Sequence, residues 1–338
     1  LLEQNLPQIG VLDFLTGLFK MFNLVAYYID KVPRSDANYG KIYVDTLDNY
    51  YADATNNKLG KTIDITRYID STEHTVESVL PFTDIHFKYT ENDTILMEHH
   101  FEQFGKVFGD AEFNVRENHR DEIDRGRKYD IDIPFAHFKY ERILDTGAAA
   151  TKTDIQWGYS AGGDFETDTS VTPNIGDYDS VLTAPLIFYG IQETTSNAIA
   201  FLPSGANAES ITQYFRPSNT NEAGSTTTAP SFSLNFDGET DEWNGVSFGR
   251  PPVGSTSTTF DPSLYNDFYK KYVESVFNPA KRLFKIKALL PPKILISLKL
   301  NHQIKFNQRI FRINSVTTNL MTGQSELELL NIFSNEVI

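Results

Sequence analysis

The sequence predicts a mainly β protein with a few helices, in which β-barrel-like domains carry a loop-rich inserted region. Strand-like segments recur between residues 41 and 144, separated by charged turns. Residues 145–260 are dominated by Ser, Thr, Gly, Asn, Ala and Pro, which indicates long loops. From Ser263 to Leu330 one amphipathic helix leads into an uninterrupted series of strands and tight turns. This last block has the pattern of a barrel-forming scaffold.

The composition is that of a globular protein. The chain has 338 residues, of which 40% are apolar and 13% aromatic, which argues against global disorder. No run of eighteen apolar residues is present, so the sequence predicts no membrane-spanning helix. The absence of cysteine excludes disulfides and thiolate metal sites. Because the chain begins at Leu1 without a basic signal-peptide head, we expect it to be the C-terminal portion of a longer polypeptide.

Changes in composition divide the chain into four regions. Residues 1–30 form an opening helix and strand, and residues 31–144 form a β-rich domain. Residues 145–260 form a Ser/Thr/Gly-rich inserted or loop-rich domain. Residues 261–338 form a helix and a β-barrel-like C-terminal domain. Two or three domains of ordinary size are expected at this chain length.

The first region begins with a helix of about three turns. Pro7 lies in its first turn, where the missing N–H of proline costs nothing. The helix ends near Asn23 and is followed by a strand from Leu24 to Ile29. We expect a core helix, because large apolar side chains form one broad face: Val11, Leu12, Phe14, Leu15, Leu18, Phe19 and Phe22.

The second region alternates between strands and charged turns. The strand-like segments are Lys41–Thr46, Lys61–Thr66, Asp84–Tyr89 and Ile133–Ile143. The tract from Arg116 to Lys128 mixes both signs of charge and predicts an exposed loop or a short helix. Its interleaved acidic residues argue against a nucleic-acid interface.

The third region has one clear strand, Val181–Ile191, and only three basic residues. Its polar tracts are typical of long surface loops or an inserted subdomain, and they cover Ser204–Glu209, Ser218–Pro230 and Gly254–Thr259. Loops of this length inside a compact domain are usually functional or poorly ordered.

The fourth region begins with the amphipathic helix. Ser263 is a suitable N-cap, and Pro279 cannot continue the helix. Apolar residues recur every fourth position along one face: Leu264, Phe268, Tyr272 and Val276.

Strands follow this helix. The alternating patterns of Arg282–Leu289 and Ile294–Leu298 predict two of them, separated by Leu290-Pro291-Pro292. Two hairpins are expected next, with turns near Asn307-Gln308 and at Thr322-Gly323.

The charge of the chain is unevenly distributed. The net charge is −15, yet the segment from Lys281 onward has nine basic and three acidic residues, or +6, so residues 1–280 carry −21. The acidic majority argues against nucleic acid as the main partner. The asymmetry predicts an assembly surface at Lys281, Arg282, Lys285 and Lys287, the alternative being solvated surface with chance clustering.

Motifs for catalysis or cofactor binding are absent from the sequence. There is no Gly-x-Ser-x-Gly nucleophile elbow and no phosphate-binding loop, so we expect neither an enzyme nor a cofactor. His99 and His100 are adjacent in what we interpret as an extended strand, where they point to opposite faces, and His119 lies downstream. This spacing does not favour a metal site.

Acidic and aromatic residues leave some alternatives open. Asp130 with Asp132, or Glu239 with Asp241, could supply a glycosidase acid pair, although the sequence cannot show their separation. The run Asp237–Asp241 resembles the start of a calcium loop, but Glu242 and Phe248 stand where glycine and an acid are required, so we interpret it as a turn. Trp243, Phe236 and Phe248 offer a sugar-stacking platform or, more commonly, core aromatics.

Several segments resemble the tail hub or tail-tip proteins of tailed bacteriophages, particularly those that infect Bacteroidetes-type hosts. The similar segments follow one another in the same order from end to end of the chain and cover well under half of it. They are Val11–Val25, Val44–Tyr51, Thr62–Asp70, Ser263–Tyr265, Phe277–Pro279, Leu290–Pro292 and Phe311–Gly323.

The resemblance implies a non-enzymatic structural protein of the virion, made in the cytoplasm of the bacterial host. Such proteins form a trimeric ring of β-barrel-like domains at the distal end of the tail tube, as part of the tail tip or baseplate hub. The partners implied are other copies of the chain, in a homotrimer, and the tube, distal tail, fibre or tip proteins. Neither a cofactor nor a membrane span is implied.

Other classes of function remain open. One is a receptor-binding or carbohydrate-binding tail module, whose loop-contact aromatics would be Trp157 and Trp243. Another is a glycan hydrolase fused to a tail component, which requires two carboxyl groups in one cleft. A third is an adaptor ring protein of the tail.

Overall fold

The computed structural model describes residues 9–28, 33–52, 62–78, 82–92, 94–114, 127–145, 153–157, 184–194, 199–201, 209–211, 214–219, 232–237, 263–276 and 281–332. The described part is mainly β with a few helices, as the sequence predicts, and its larger sheets are curled into half-barrels. None of the described helices is long and apolar enough to cross a membrane.

The helices and strands are named in chain order. The helices are α1 (Val11–Met21), α2 (Leu47–Ala52), α3 (Ile95–Phe104), a π turn (Tyr265–Tyr269) continuing as α4 (Lys270–Val276), and α5 (Pro292–Ser297). The first strands are β1 (Leu24–Tyr28), β2 (Ile42–Thr46), β3 (Thr62–Asp64), β4 (Ile69–Ser78), β5 (Phe82–Thr90), β6 (Ala111–Asn114), β7 (Arg127–His137), β8 (Glu141–Asp145) and β9 (Thr153–Trp157). The others are β10 (Leu186–Ile187), β11 (Gly190–Thr194), β12 (Ile199–Phe201), β13 (Glu209–Ile211), β14 (Tyr214–Ser218), β15 (Arg282–Leu289), β16 (Gln303–Phe306), β17 (Arg309–Thr318) and β18 (Gln324–Asn331).

The chain forms two compact units. The first unit comprises the described residues within 1–21, 86–112 and 130–267, and the second those within 22–85, 113–129 and 268–338. The four-part division expected from composition stays a prediction.

The second unit is built on a six-stranded sheet in the order β3-β16-β17-β18-β15-β4. Strands β3 and β4 lie at its two opposite edges, although only a 3-10 turn (Thr66–Tyr68) and Ile65 separate them in sequence. Four residues span no more than about 17 Å between the flanking Cα atoms. The sheet is therefore curled until its edges approach each other, as in a half-barrel.

Alternating side chains from this sheet fill its concave side. Phe306 and Phe311 stack with ring centroids 4.2 Å apart, and Ile294, Leu295 and Leu298 pack against the same core. The buried members of the core are Ile63, Ile65, Ile286, Ala288, Leu290, Ile304, Phe311, Ile313, Leu327 and Leu329. The period-two pattern of the sequence accounts for this alternation.

The first unit contains a four-stranded sheet in the order β10-β7-β5-β6. Phe87 of β5 stacks on Phe236 with ring centroids 4.7 Å apart, and both rings are buried. Two-stranded ribbons pair β8 with β9, β11 with β14 and β12 with β13, and in the second unit β1 with β2.

Most predicted elements of the C-terminal region are confirmed. The helix begins after Ser263, whose Oγ accepts a hydrogen bond from the Asn266 N–H at 3.2 Å. Strand β15 and both hairpin turns lie where the sequence predicts them. At the first turn Asn307 and Gln308 have φ angles of 47° and 64°, which is the left-handed pair of a type I′ two-residue hairpin.

Three local predictions are wrong. Residues Ile294–Leu298 were expected to form a strand, but α5 covers this segment because Pro292 opens a helix and Ile294 donates to the Pro291 carbonyl at 2.9 Å. The segment around His99 and His100 is the helix α3 and not an extended strand. Of the predicted strand Val181–Ile191, only Leu186–Ile187 and the beginning of β11 are strand within the described residues.

The predicted core face of α1 is also wrong at its N-terminal end. The helix is present, but Val11 and Leu12 are 78% and 75% exposed, and its buried residues are Gly17 and Met21. These two residues are four positions apart, so a narrower stripe than the apolar face of the sequence contacts the sheet.

Candidate functional site

A cleft of about 770 Å³ opens in the first unit between α1, β5, β7 and the turn before β6. Six of its side chains are Asp, Glu or Lys, which gives it a polar and mixed-charge lining. The lining residues are Asp13, Thr16, Lys20, Lys88, Tyr89, Thr90, Glu91, Val107, Asp110, Asp132, Ile133 and Pro134.

Helical spacing and strand alternation place these side chains together. Asp13, Thr16 and Lys20 are three and four residues apart, so they lie on one face of α1. The Lys20 Nζ donates to the carbonyl oxygen of Asp132 on β7 at 3.3 Å, which holds this face against the sheet.

Asp110 is a carboxyl group in the cleft with a strongly raised pKa. Burial raises the pKa of its carboxyl to about 7, with smaller contributions from Glu91 and Asp132 in the same direction. The N–H of Tyr89 donates to Asp110 Oδ1 at 2.9 Å, which acts in the opposite direction. Near neutral pH this carboxyl is therefore divided between its protonated and ionised forms, as a general acid requires.

Asp132 lines the cleft together with three other carboxyl groups, those of Asp13, Glu91 and Asp110, but its predicted partner Asp130 does not. Asp130 lies outside the cleft, where its carboxylate is 3.7 Å from Nδ1 of His86 and 3.8 Å from Nζ of Lys88. Sequence reasoning missed Asp110. The available signal was the Gly109-Asp110 dipeptide, which marks a turn, and Gly109 has a φ of 87°.

Beneath the cleft lies a buried polar cluster centred on His137. Its Nε2 is 2.6 Å from Oδ1 of Asn235, and its ring packs on Tyr89 with centroids 4.6 Å apart. The buried Lys139 places its Nζ 4.2 Å above the ring of Phe108. Burial lowers the pKa of His137 to about 4, so the ring is neutral at physiological pH. The cluster is buried from solvent, since its side chains are all less than 10% exposed.

The other histidines do not form a metal site in the part of the chain that the structure describes. His100 is buried on α3 and packs on Phe104, with ring centroids 4.8 Å apart. No three His, Asp or Glu side chains come together there as metal ligands do. His119 lies outside the described residues.

The predicted assembly surface lies on and beside β15. Lys281 is buried, and the Arg282 Nη1 donates to the Lys281 carbonyl at 2.8 Å. Lys285 and Lys287 lie on the strand itself. Their role in assembly stays a prediction.

Carboxylates on the neighbouring strands face these lysines. Lys285 is 2.9 Å from Glu77 of β4 and 3.9 Å from Glu328 of β18, and the Glu77 hydrogen bond raises the pKa of the lysine. Lys287 is 3.9 Å from Glu326 of β18. The excess positive charge of the C-terminal segment is thus partly balanced within the sheet.

Of the two predicted contact aromatics, Trp157 is among the residues that the structure describes and Trp243 is not. Trp157 is the last residue of β9 and pairs in register with Glu141. Trp243, Glu239, Asp241 and Phe248 are outside the described residues. Phe236 is a core aromatic and not part of a sugar platform, because it is fully buried against Phe87.

The predicted loop tracts are also largely outside the described residues, both the charged tract 116–128 and the polar tracts of region 145–260. Comparison with known proteins adds no assignment to the fold and cleft described above. No protein-family model matches the chain, and neither a curated protein nor a solved structure matches it significantly.

Proposed function

We propose that the chain is a structural protein of a bacteriophage tail, part of the tail-tip or baseplate hub ring that joins the tail tube to the tip and fibres. The observation that carries the proposal is the position of the segments that resemble hub proteins. Residues 62–70 and 311–323, far apart in sequence, contribute the edges and the centre of one half-barrel sheet.

The chemistry of the second unit supports a scaffold role. Its core is apolar, its outer strands carry paired charges, and its sheet is curled, which limits the length of free edge. In the proposal, copies of the chain form a homotrimer and contact tube, distal tail, fibre or tip proteins in the virion.

Symmetry tests the proposal. The mass of the purified oligomer is measured, and its position is located in a reconstruction of the virion. Three-fold placement below the tail tube is expected, whereas six-fold or twelve-fold placement would indicate an adaptor ring. A stable monomer with no affinity for tail-tube or fibre proteins would contradict a tail role altogether.

A second candidate function, glycan binding or hydrolysis, is favoured by one observation. Asp110 and Asp132 line the same cleft, and the environment of Asp110 keeps part of its carboxyl protonated near neutral pH. Glycoside hydrolysis uses a protonated acid and a second carboxylate in one cleft.

Matched variants separate this candidate from the structural one. If the cleft is hydrolytic, Asp110→Asn and Asp132→Asn each lower the release of reducing ends from host cell-wall glycan by about a hundredfold or more. Asp130→Asn, outside the cleft, is the control and retains activity. Binding without cleavage on a glycan array would indicate a receptor-binding module, and no response in either assay would remove both readings.

A further inference from the structure

Residues 232–237 lie in the core of the first unit, and we call them the strap. Their sequence, Phe-Ser-Leu-Asn-Phe-Asp, alternates apolar and polar side chains, which suits a segment with contacts on two sides. The four central residues, 233–236, are each no more than 4% exposed. The Leu234 N–H donates to the Asn219 carbonyl at 2.9 Å. The strap is therefore part of the packed interior and not a surface loop.

Two hydrogen bonds join the strap to the residues that position Asp110. The hydroxyl of Tyr89, a cleft residue, donates to the Leu234 carbonyl at 2.6 Å. The Phe236 N–H donates to the Gly109 carbonyl at 2.8 Å. Gly109 immediately precedes Asp110, and the Tyr89 N–H donates to the Asp110 carboxylate at 2.9 Å. The strap thus contacts both the chain neighbour and the hydrogen-bond donor of the cleft acid.

A third contact runs through His137. Its Nε2 lies 2.6 Å from the side-chain oxygen of Asn235 in the strap. A Cβ on Gly109 would lie 2.5 Å from Cδ2 of the same ring, so the turn has no room to move toward it. The rings of Tyr89 and Phe108 pack on His137 with centroids 4.6 Å and 5.5 Å away. Because protein interiors are close-packed, displacement of the strap moves the ring and the turn with it.

Charged groups from several elements surround Asp110, so its proton affinity depends on the position of the turn. Those that line the cleft with it are Asp13 and Lys20 on α1, Lys88 and Glu91 on or directly after β5, and Asp132 on β7. On β6, Glu112 is 3.0 Å from His86, and before the turn Lys106 is 2.7 Å from Asp237 at the end of the strap. Coulomb energies change with distance, so a shift of the turn changes the protonation of the cleft acid.

We propose that the strap holds Asp110 in the cleft and that the strap and the cleft are coupled, so a change in one alters the stability of the other. Coupling between two sites is reciprocal, so it is measurable from either side. Its use in glycan binding or cleavage rests on the second candidate function above, whereas the coupling itself is a property of the purified chain.

Asn235→Ala tests the coupling from the strap, because it changes no cleft residue. Burial is the main cause of the raised pKa of Asp110, so a looser turn is expected to lower the midpoint of its carboxyl-carbon NMR titration by about one pH unit from about 7. Asn219→Ala is the matched control, since it also removes a buried amide, bonded to the Phe138 carbonyl at 2.7 Å, and is expected to leave the midpoint unchanged. An equal shift in both variants would indicate general loosening and overturn the inference.

Amide hydrogen exchange tests the coupling from the cleft. Ionisation of Asp110 is disfavoured in the folded turn, so the protection factor of the Phe236 N–H is expected to fall about tenfold between about pH 6 and 8. Asp110→Asn is expected to abolish this fall. The Tyr140 N–H, which donates to the Asn219 side chain at 3.2 Å, is the internal reference and is expected to keep its protection.

Each contrary result decides the inference. If Asn235→Ala does not fold, Tyr89→Phe replaces it, since it removes only a hydroxyl on the strap, and it is expected to lower the midpoint in the same way. An unchanged Asp110 midpoint, or a loss of protection at Tyr140 equal to that at Phe236, overturns the inference. Coupling without glycan binding or cleavage supports it and contradicts the second candidate function. Glycan cleavage that depends on Asp110 but shows no coupling overturns the inference and leaves that candidate standing.

Discussion

The buried His137 and the half-buried Asp110 of the first unit have shifted pKa values whose effects on stability oppose each other. His137 has its pKa lowered to about 4, so the folded state binds fewer protons than the unfolded state between about pH 4 and 6.5. Stability from this residue is lost as the pH falls through that range. Asp110 has its pKa raised to about 7, so the folded state binds more protons between about pH 3.8 and 7. Stability from this residue is lost as the pH rises.

Variants of these two residues are predicted to show opposite changes in the pH dependence of the free energy of unfolding. In urea unfolding between pH 4.5 and 6, Asp110→Asn leaves the His137 contribution, and its free energy of unfolding rises with pH relative to wild type. His137→Gln leaves the Asp110 contribution, and its free energy falls relative to wild type. The two slopes are expected to differ by roughly 3 kcal/mol per pH unit, since each group contributes one proton. Equal slopes of the free energy of unfolding against pH in the two variants would contradict the opposed pKa shifts. If His137→Gln does not fold, the slope of Asp110→Asn relative to wild type is sufficient to test the Asp110 shift.

At this scale the sequence identifies residue types better than their neighbours. It singles out Asp132 as a candidate acid, and Asp132 does line the cleft. It offers Asp130 as one possible partner of Asp132, but it cannot show how far apart two carboxyl groups lie. In the structure Asp132 shares the cleft with Asp110, which a turn before β6 brings in. Which turn lies against which strand depends on tertiary packing that local patterns do not encode.

Among the elements, α1 depends on one close approach to β7. A Cβ on Gly17 would lie 2.8 Å from the Phe135 ring and 2.9 Å from Pro134, so a larger residue forces the helix away from the strand. We predict that Gly17→Val lowers the free energy of unfolding by about 2 kcal/mol in urea titrations. Leu12→Val on the exposed part of the same helix is the control, and its change is expected to stay within about 0.5 kcal/mol. A Gly17→Val variant with an unchanged free energy of unfolding would contradict the close approach of α1 to β7.

The ion pairs of β15 can be tested separately from assembly. Lys285→Glu with Lys287→Glu places carboxylates opposite Glu77, Glu326 and Glu328, so the melting temperature is predicted to fall at low salt and to recover partly in high salt. Adding Glu77→Lys to the Lys285→Glu change is predicted to restore the melting temperature. Assembly lost at unchanged melting temperature would support the assembly surface, whereas normal assembly would assign the lysines to sheet pairing alone.

Element types were predictable where one signal dominates. The cap at Ser263 and the hairpin turns are encoded locally, and the structure confirms them. Residues 294–298 alternate weakly enough to suit a strand, yet Pro291-Pro292 and packing of Ile294, Leu295 and Leu298 on the core select a helix. Short apolar runs of this kind fit both periods, so tertiary contacts decide between them.

For the whole molecule, the half-barrel predicts a folding unit that is discontinuous in sequence. Residues 263–338 alone lack both edge strands and the core side chains Ile63 and Ile65. Each of these isoleucines contributes about 1.5–3 kcal/mol on burial, a large part of a total stability of about 5–15 kcal/mol. We predict that this fragment shows no cooperative urea transition.

Linking residues 62–78 to the fragment is predicted to restore the transition and slow amide exchange in β17 and β18. The same length of residues 33–49, linked in the same way, is the control and restores neither. A fragment that folds without the added strands would show that the C-terminal region is autonomous.

The fold class was predictable because composition and strand patterns recur along the chain. The pairing of β3 and β4 with the C-terminal strands of the six-stranded sheet was not predictable. Residues Lys61–Thr66 are recognisable as a strand, but β4 (Ile69–Ser78) was not predicted, and nothing local indicates that β3 and β4 flank strands from the other end of the chain. Pairing between distant strands is set by the global packing of the core.

The position of β3 and β4 also determines when the six-stranded sheet can form during synthesis of the chain. Thr62 and its hydrogen-bond partner Gln303 are 241 residues apart, and the ribosome makes the two edge strands long before β15 and β16. Throughout that interval Ile63 and Ile65 have none of their later sheet partners, and the edges of both strands are open to other chains. The half-barrel therefore closes only after β15 to β18 are translated, as a slow step dominated by non-local contacts. A nonsense mutation before β15 would thus leave the earliest strands, and not only the last ones, without their sheet partners.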